Sequence, residues 1–128
     1  MANSELPGVT VFDACVVEAA GNKPKKISEY IGRVASGDTA VSIAVMVSPE
    51  GWVEPAQTPE FDEFTAVLRG ELHVTTGGKT LVVRAGQSLR VKGGVAVQYS
   101  TPGANGAEYI AVCIPAFSPE TVHRVKYY

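Results

Sequence analysis

Histidine and cysteine are scarce in this chain, with two of each among 128 residues. No Cys-x-x-Cys occurs, which excludes the usual structural zinc sites. Cys15 and Cys113 lie in runs of β-formers, Ala14-Cys15-Val16-Val17 and Val112-Cys113-Ile114-Pro115. They read as two buried free thiols, with a disulfide between neighbouring strands left open. His73 and His123 cannot build a three-histidine metal site. Charge of either sign is also sparse: 11 Lys and Arg against 13 Asp and Glu, a net charge of −2. That leaves no electrostatic footprint for nucleic acid or an anionic membrane. Lys23, Lys25 and Lys26 cluster, and a solvated basic loop explains them. No apolar run approaches membrane-spanning length. Residues 1–8 lack the basic start and apolar stretch of a signal peptide, so the expected compartment is the cytoplasm. Phosphate-cradling glycine loops before a helix and the Gly-x-Ser-x-Gly elbow are missing, which argues against nucleotide chemistry and serine hydrolysis.

What is present is β-structure. Hydrophobic residues make up 45% of the chain and charged residues 19%, as in an ordinary globular protein. Short apolar segments alternate with turn signals: Gly21-Asn22, Gly37-Asp38, Pro49-Glu50-Gly51, Thr76-Gly77-Gly78-Lys79, Ala85-Gly86-Gln87, Lys92-Gly93-Gly94 and Pro102 to Gly106. The paired Gly77 and Gly78 predict a tight hairpin. Thr39 to Val47 reads as a strand with Val41, Ile43, Val45 and Val47 on one face and Ala40, Ser42, Ala44 and Met46 on the other. Neither face is charged, so both are expected to be covered. Ile27, Tyr30 and Ile31 stand at helical spacing and suggest one short helical turn. Ser118-Pro119-Glu120 resembles a helix start, with Ser as N-cap and Pro at the first position. The pattern as a whole predicts an all-β sandwich or barrel. It is one structural domain, with an N-terminal strand and loop extension over residues 1–38 packing on a barrel and tail over 39–128.

Acids concentrate between residues 51 and 70. Glu54 precedes Glu60, Asp62 and Glu63, and an apolar run from Phe64 to Leu68 follows at once. Acids leading into a core strand point at water or line a cavity. An inward Glu63 would have a raised pKa or need a partner. Asp62 should oppose it by alternation. Glu60 belongs either to a solvated acidic turn or, brought inward at Pro59, to the same cavity as Glu63, where two carboxylates would split into one acid and one base. Glu54 is a solvated loop acid or a further pocket acid. Trp52, the only Trp, is a ligand-stacking surface or a core or subunit contact.

The turn spacing resembles the cupins, small jelly-roll (double-stranded β-helix) barrels. Their first motif is Gly, five residues, His-x-His, three or four residues, Glu, six residues, Gly. Gly51, Gln57-Thr58-Pro59, Glu63 and Gly70 keep that frame with both histidines replaced. Their second motif is Gly, five residues, Pro-x-Gly, two residues, His, three residues, Asn. Gly86, Lys92-Gly93-Gly94, Val97 and Thr101 keep its frame, again without the ligands. Residues 115–124 look like the endings of small bacterial cupins. The loss of histidines is also similar to the ethanolamine-utilisation cupins, which are acidic where others carry histidine. The resemblance covers residues 39–124.

The resemblance implies that Glu63 occupies the family's metal-binding Glu position and points into the barrel. Gln57 stands in the first histidine's place, able to bond a ligand or to offer a weak oxygen to a metal. The same register turns Val97 and Tyr99 inward. The expected function is binding of a small polar metabolite in the barrel. The enzymatic form is proton transfer (isomerisation, cyclisation or lyase chemistry) with Glu63 and Glu60 as acid and base and Gln57, Tyr99, Glu54 and Trp52 around the substrate. A non-catalytic binding module and a metal-dependent enzyme with oxygen-rich ligands, Gln57 and Glu63 among them, are the alternatives. A homodimer is expected, in part from the resemblance and in part to cover apolar strand faces.

Overall fold

The computed structural model describes residues 2–126. Eleven strands and no helix form among them. β1 (Ala2–Leu6) and β2 (Val9–Phe12) make a separate hairpin. The remaining strands are β3 (Cys15–Val17), β4 (Lys26–Ile31), β5 (Ser42–Ser48), β6 (Trp52–Val53), β7 (Asp62–Thr76), β8 (Lys79–Arg84), β9 (Ser88–Val91), β10 (Gln98–Thr101) and β11 (Ala107–Ile114). They join in one curled antiparallel sheet in the order β3-β4-β5-β11-β7-β10-β6, with β8 and β9 also paired to β7. This is the expected all-β jelly-roll barrel.

β7 is the strand the barrel turns on. Its first half pairs with β11 and β9, and its second half with β10 and β8. β7 runs through Gly70 without a break. Gly70 has a φ of 75°, and a Cβ there would lie 2.1 Å from the Gly106 carbonyl oxygen. Only glycine lets β7 and β11 close at this crossing, beside the register shift at Glu108 and Tyr109. At the far end Gly77 and Gly78 both take positive φ, as a two-residue hairpin with the right-handed strand twist needs.

Neither segment expected to be helical forms a helix. Residues 26–31 form β4, paired with β5 from Lys26↔Val47 to Ile31↔Ile43. The spacing of Ile27, Tyr30 and Ile31 fits either period, and the hydrogen bonds offered by β5 decide it. Ser118 does cap a turn, accepting from the Glu120 amide at 3.2 Å, but the chain makes one turn and stops. In β5 the Ser42, Ala44 and Met46 face looks into the barrel. The opposite face is only partly covered in a single chain. Val47, Phe64, Leu68 and Ile114 are all exposed on the described surface.

The core is in two parts. Trp52, Leu72, Val74, Val97, Tyr99 and Tyr109 belong to the larger cluster. Phe61, Cys113 and Val122, with Phe117 packed against them, form the smaller. Leu72, Tyr99 and Tyr109 from the first and Phe61, Cys113 and Phe117 from the second also face the same cavity. The barrel is therefore packed around a hollow rather than filled.

Candidate active site

The hollow has a volume of about 70 Å³. On that measure it has room for roughly five waters. Its polar lining includes Lys25 just before β4, Glu54 after β6, Gln57 in the following loop, Glu63 on β7, Tyr99 on β10 and Arg124 in the tail. Isolated antiparallel bridges hold Gln57 to both Val97 and Arg124. Gln57 and Val97 exchange backbone bonds of 2.9 and 2.8 Å. The positions that carry histidine in the two family motifs are thus side by side, as the motif register requires.

Glu63 and Tyr99 form one unit. The Tyr99 hydroxyl donates to Glu63 Oε1 at 3.1 Å. Burial raises the Glu63 pKa, and the Tyr99 bond, Lys25 and Arg124 oppose the rise. Burial, with Glu63 and Glu54 nearby, pushes the Tyr99 phenol far up, so it keeps its proton at any working pH. Tyr99 is a fixed donor rather than a base. Tyr109, bonded to Ser48 at 2.8 Å, and the Cys113 thiol are likewise driven up by burial and stay protonated. Cys15 and Cys113 are both free.

Glu54 and Lys25 form a second unit. Glu54 is 4% exposed, not a solvated loop acid. Its backbone amide bonds the Tyr99 carbonyl at 3.2 Å, and Gln98 Nε2 donates to its carbonyl at 2.9 Å, which fixes the residue against β10. Burial raises its carboxyl from 4.5 to about 7, against the pull of Lys25. Lys25 leaves the basic loop expected for it. Its Nζ lies 3.9 Å from the Trp52 ring centroid and 5.2 Å from that of Tyr109. Burial lowers it from 10.5 to about 8, with Glu54 and then Glu63 holding it up. The cation rests on aromatic faces while sharing a cavity with two carboxyls.

Three buried polar side-chain atoms among the described residues lack a partner: Glu54 Oε1, Gln57 Oε1 and Arg124 Nε. All three residues line the hollow. Such atoms cost free energy when left unmatched, and their convergence marks where a ligand or ordered water belongs.

Two expected site residues stand elsewhere. Glu60 is exposed and holds His123 Nε2 at 2.5 Å on the surface. The turn at Pro59, whose carbonyl is bonded by the Gly94 amide at 2.7 Å, sends Glu60 outward instead of in. It is no partner for Glu63. Asp62 is also outside, accepting from the Gly93 amide at 2.8 Å. Trp52 is 1% exposed and donates from Nε1 to the Ala20 carbonyl at 3.0 Å. It is core and supports Lys25, but it does not line the hollow.

A family profile described as the cupin domain matches residues 44–113, more than half of the chain. The chain belongs to the cupin family. A Myxococcus xanthus protein named endoribonuclease YbeY is 41% identical over 99 residues, 77% of this cupin and 34% of that protein. The Salmonella typhimurium protein named acetate kinase EutQ is 35% identical over 54 residues, 42% of this chain and 24% of that one. The chain thus spans about a third or less of these curated relatives. In fold, the crystal structure of the putative ethanolamine utilisation protein Q of Salmonella typhimurium superposes with a TM-score of 0.72 at 21% identity, covering 91% of this cupin and 94% of that chain. The likeness to ethanolamine-utilisation cupins read from the sequence holds.

Metal is the cofactor the cupin fold suggests, and this donor set does not fit it. Glu63 and Gln57 do share the hollow, but among the described residues no group of three His, Cys, Asp or Glu comes together for an ion. The positive charge beside the carboxyls is supplied by Lys25 and Arg124. A divalent cation would have to enter next to both. No helix among the described residues is long and apolar enough to cross a membrane.

Proposed function

We propose that this cupin is an acid–base enzyme that binds a small polar metabolite in its barrel and moves a proton on it, in isomerisation, cyclisation, dehydration or lyase chemistry. The observation that carries the reading is the sharing of one cavity by Glu54 and Lys25, an acid brought up to about 7 and a base brought down to about 8. A proton-transfer group works best with its pKa near the working pH. Glu54 is then present in both forms at neutral pH and can take or give the proton. Lys25 is mostly charged and stabilises negative charge that develops on substrate oxygen. Glu63, held by Tyr99, adds a second carboxyl to the same hollow. Gln57 and Arg124 have atoms free to orient substrate.

The test needs no knowledge of the product. A panel of small carbonyl and hydroxy metabolites is incubated with the protein in deuterium oxide, and exchange of carbon-bound hydrogen is followed by NMR. Exchange should appear for a bound ligand and vanish in Glu54→Gln. A ligand that binds tightly yet never exchanges would make the protein a binding module instead.

We also propose a homodimer. Its support is the apolar outer face that continues across β5, β11 and β7, where Val47, Ile114, Phe64 and Leu68 stay exposed. Light scattering should give twice the chain mass, and Leu68→Lys should reduce it to one. A monomeric parent protein at all concentrations rules the dimer out.

A further inference from the structure

The orphaned atoms of the hollow narrow the class of metabolite it can hold. Glu54 and Gln57 are each 4% exposed, and each turns an unpartnered oxygen toward the hollow. These atoms ask for hydrogen donors, such as a hydroxyl. Arg124 presents an unpartnered N–H in the same space, with its guanidinium 5.4 Å from the Phe117 ring centroid. Lys25 adds a second cation. Together they ask for an anion with acceptor oxygens.

Three other acids line this space, Glu63, Glu29 and Glu18, and each is already engaged or open to water. Glu63 already receives the Tyr99 hydroxyl. Glu29 spends its Oε2 on the Val34 and Ala35 amides at 3.0 and 2.8 Å. Glu18 is exposed on the lining. Ala44, Phe61, Leu72 and Ala111 supply apolar wall for a short carbon skeleton. The volume of about 70 Å³ admits a ligand of roughly as many non-hydrogen atoms as the waters it would displace, about five.

We propose that the hollow takes a small hydroxycarboxylate, its carboxylate set between Arg124 and Lys25 and its hydroxyl donated toward Glu54 or Gln57. This rests on the acid–base reading of the same site, and it goes further by naming both ends of the substrate. A hydroxyl on the carbon next to a carboxylate activates that carbon's hydrogen only weakly. A base poised beside it and a cation on the carboxylate are what its removal needs.

The experiment is calorimetric titration of the full chain at pH 7 with four probes of similar size: glycolate, acetate, ethylene glycol and ethanolamine. Glycolate should bind at least tenfold more tightly than acetate, because acetate leaves the buried Glu54 and Gln57 oxygens unpaired. It should exceed ethylene glycol by a similar factor, since the diol lacks the anion. Ethanolamine, with the same hydroxyl and opposite charge, should not bind. Arg124→Met should weaken glycolate tenfold or more and leave ethylene glycol unchanged. Equal affinity for glycolate and acetate, preference for ethanolamine, or no binding of any probe at millimolar concentration would each overturn the proposal. The two readings fail separately. Deuterium exchange on a ligand of another class keeps the acid–base reading and sinks this one, whereas firm hydroxycarboxylate binding without exchange on any ligand does the reverse.

Discussion

Glu54→Gln is the most informative single change, because its effect on stability has a sign and a pH window. Glu54 is almost fully buried, and its carboxyl rises from 4.5 in the unfolded chain to about 7 in the barrel, chiefly through desolvation. Below pH 4.5 the residue is neutral in both states and costs nothing. Between 4.5 and 7 the unfolded chain releases the proton while the folded one keeps it, so stability falls as pH rises. Above 7 the cost is complete. The gap between 4.5 and about 7 corresponds to about 3 kcal/mol. Glutamine keeps the shape and cannot ionise. The assay is urea unfolding of both proteins at one protein concentration, from pH 4.5 to 7, below the titration of Lys25 at about 8. The parent and variant should have similar stability at the acid end. By pH 7 the variant should be the more stable by up to about 3 kcal/mol. Parallel curves, with a difference independent of pH, would refute the burial of an ionisable acid. A group that destabilises its own fold at neutral pH suggests a role in function.

Other changes probe the rest of the account. Tyr99→Phe removes the 3.1 Å donor to Glu63, so it should raise the Glu63 pKa further and lower stability by about 1–2 kcal/mol at neutral pH; an unchanged melting profile would mean the bond is not formed. Gly70→Ala places a Cβ 2.1 Å from the Gly106 carbonyl at a positive φ, and should cost at least roughly 1–3 kcal/mol in unfolding free energy; a variant of normal stability would show that β7 and β11 do not cross so closely. Glu60→Gln, by contrast, alters an exposed acid outside the hollow and should leave ligand binding and deuterium exchange as they are; loss of either would return Glu60 to the site.

The barrel was legible because its turns are written in glycine. The two motif frames put Gln57, Glu63 and Val97 in register without any histidine to guide them. Lys25 was hidden by its neighbours. In a run with Lys23 and Lys26 it looks solvated, and a helical reading of residues 27–31 conceals that Lys25, Ile27 and Glu29 share strand parity and one wall of the hollow. Glu54 had a similar signal, two residues after the buried Trp52 at the end of β6, but the following proline made a loop acid the simpler reading. Arg124 had no local signal. It reaches the hollow only because the tail returns to Gln57, a pairing across the fold that no short-range pattern encodes. Glu60 went the other way, since its outward turn depends on the Gly94 amide and on His123.

The central claim is that the barrel holds an acid tuned to neutral pH. Carbon-13 NMR of side-chain carboxyls, followed from pH 4 to 9 in the parent protein and in Glu54→Gln, tests it directly. The account predicts a glutamate signal with a midpoint near 7 that is missing from the variant. If every glutamate titrates below about 5, the carboxyl is an ordinary solvated acid, and the acid–base reading of this cupin falls with it.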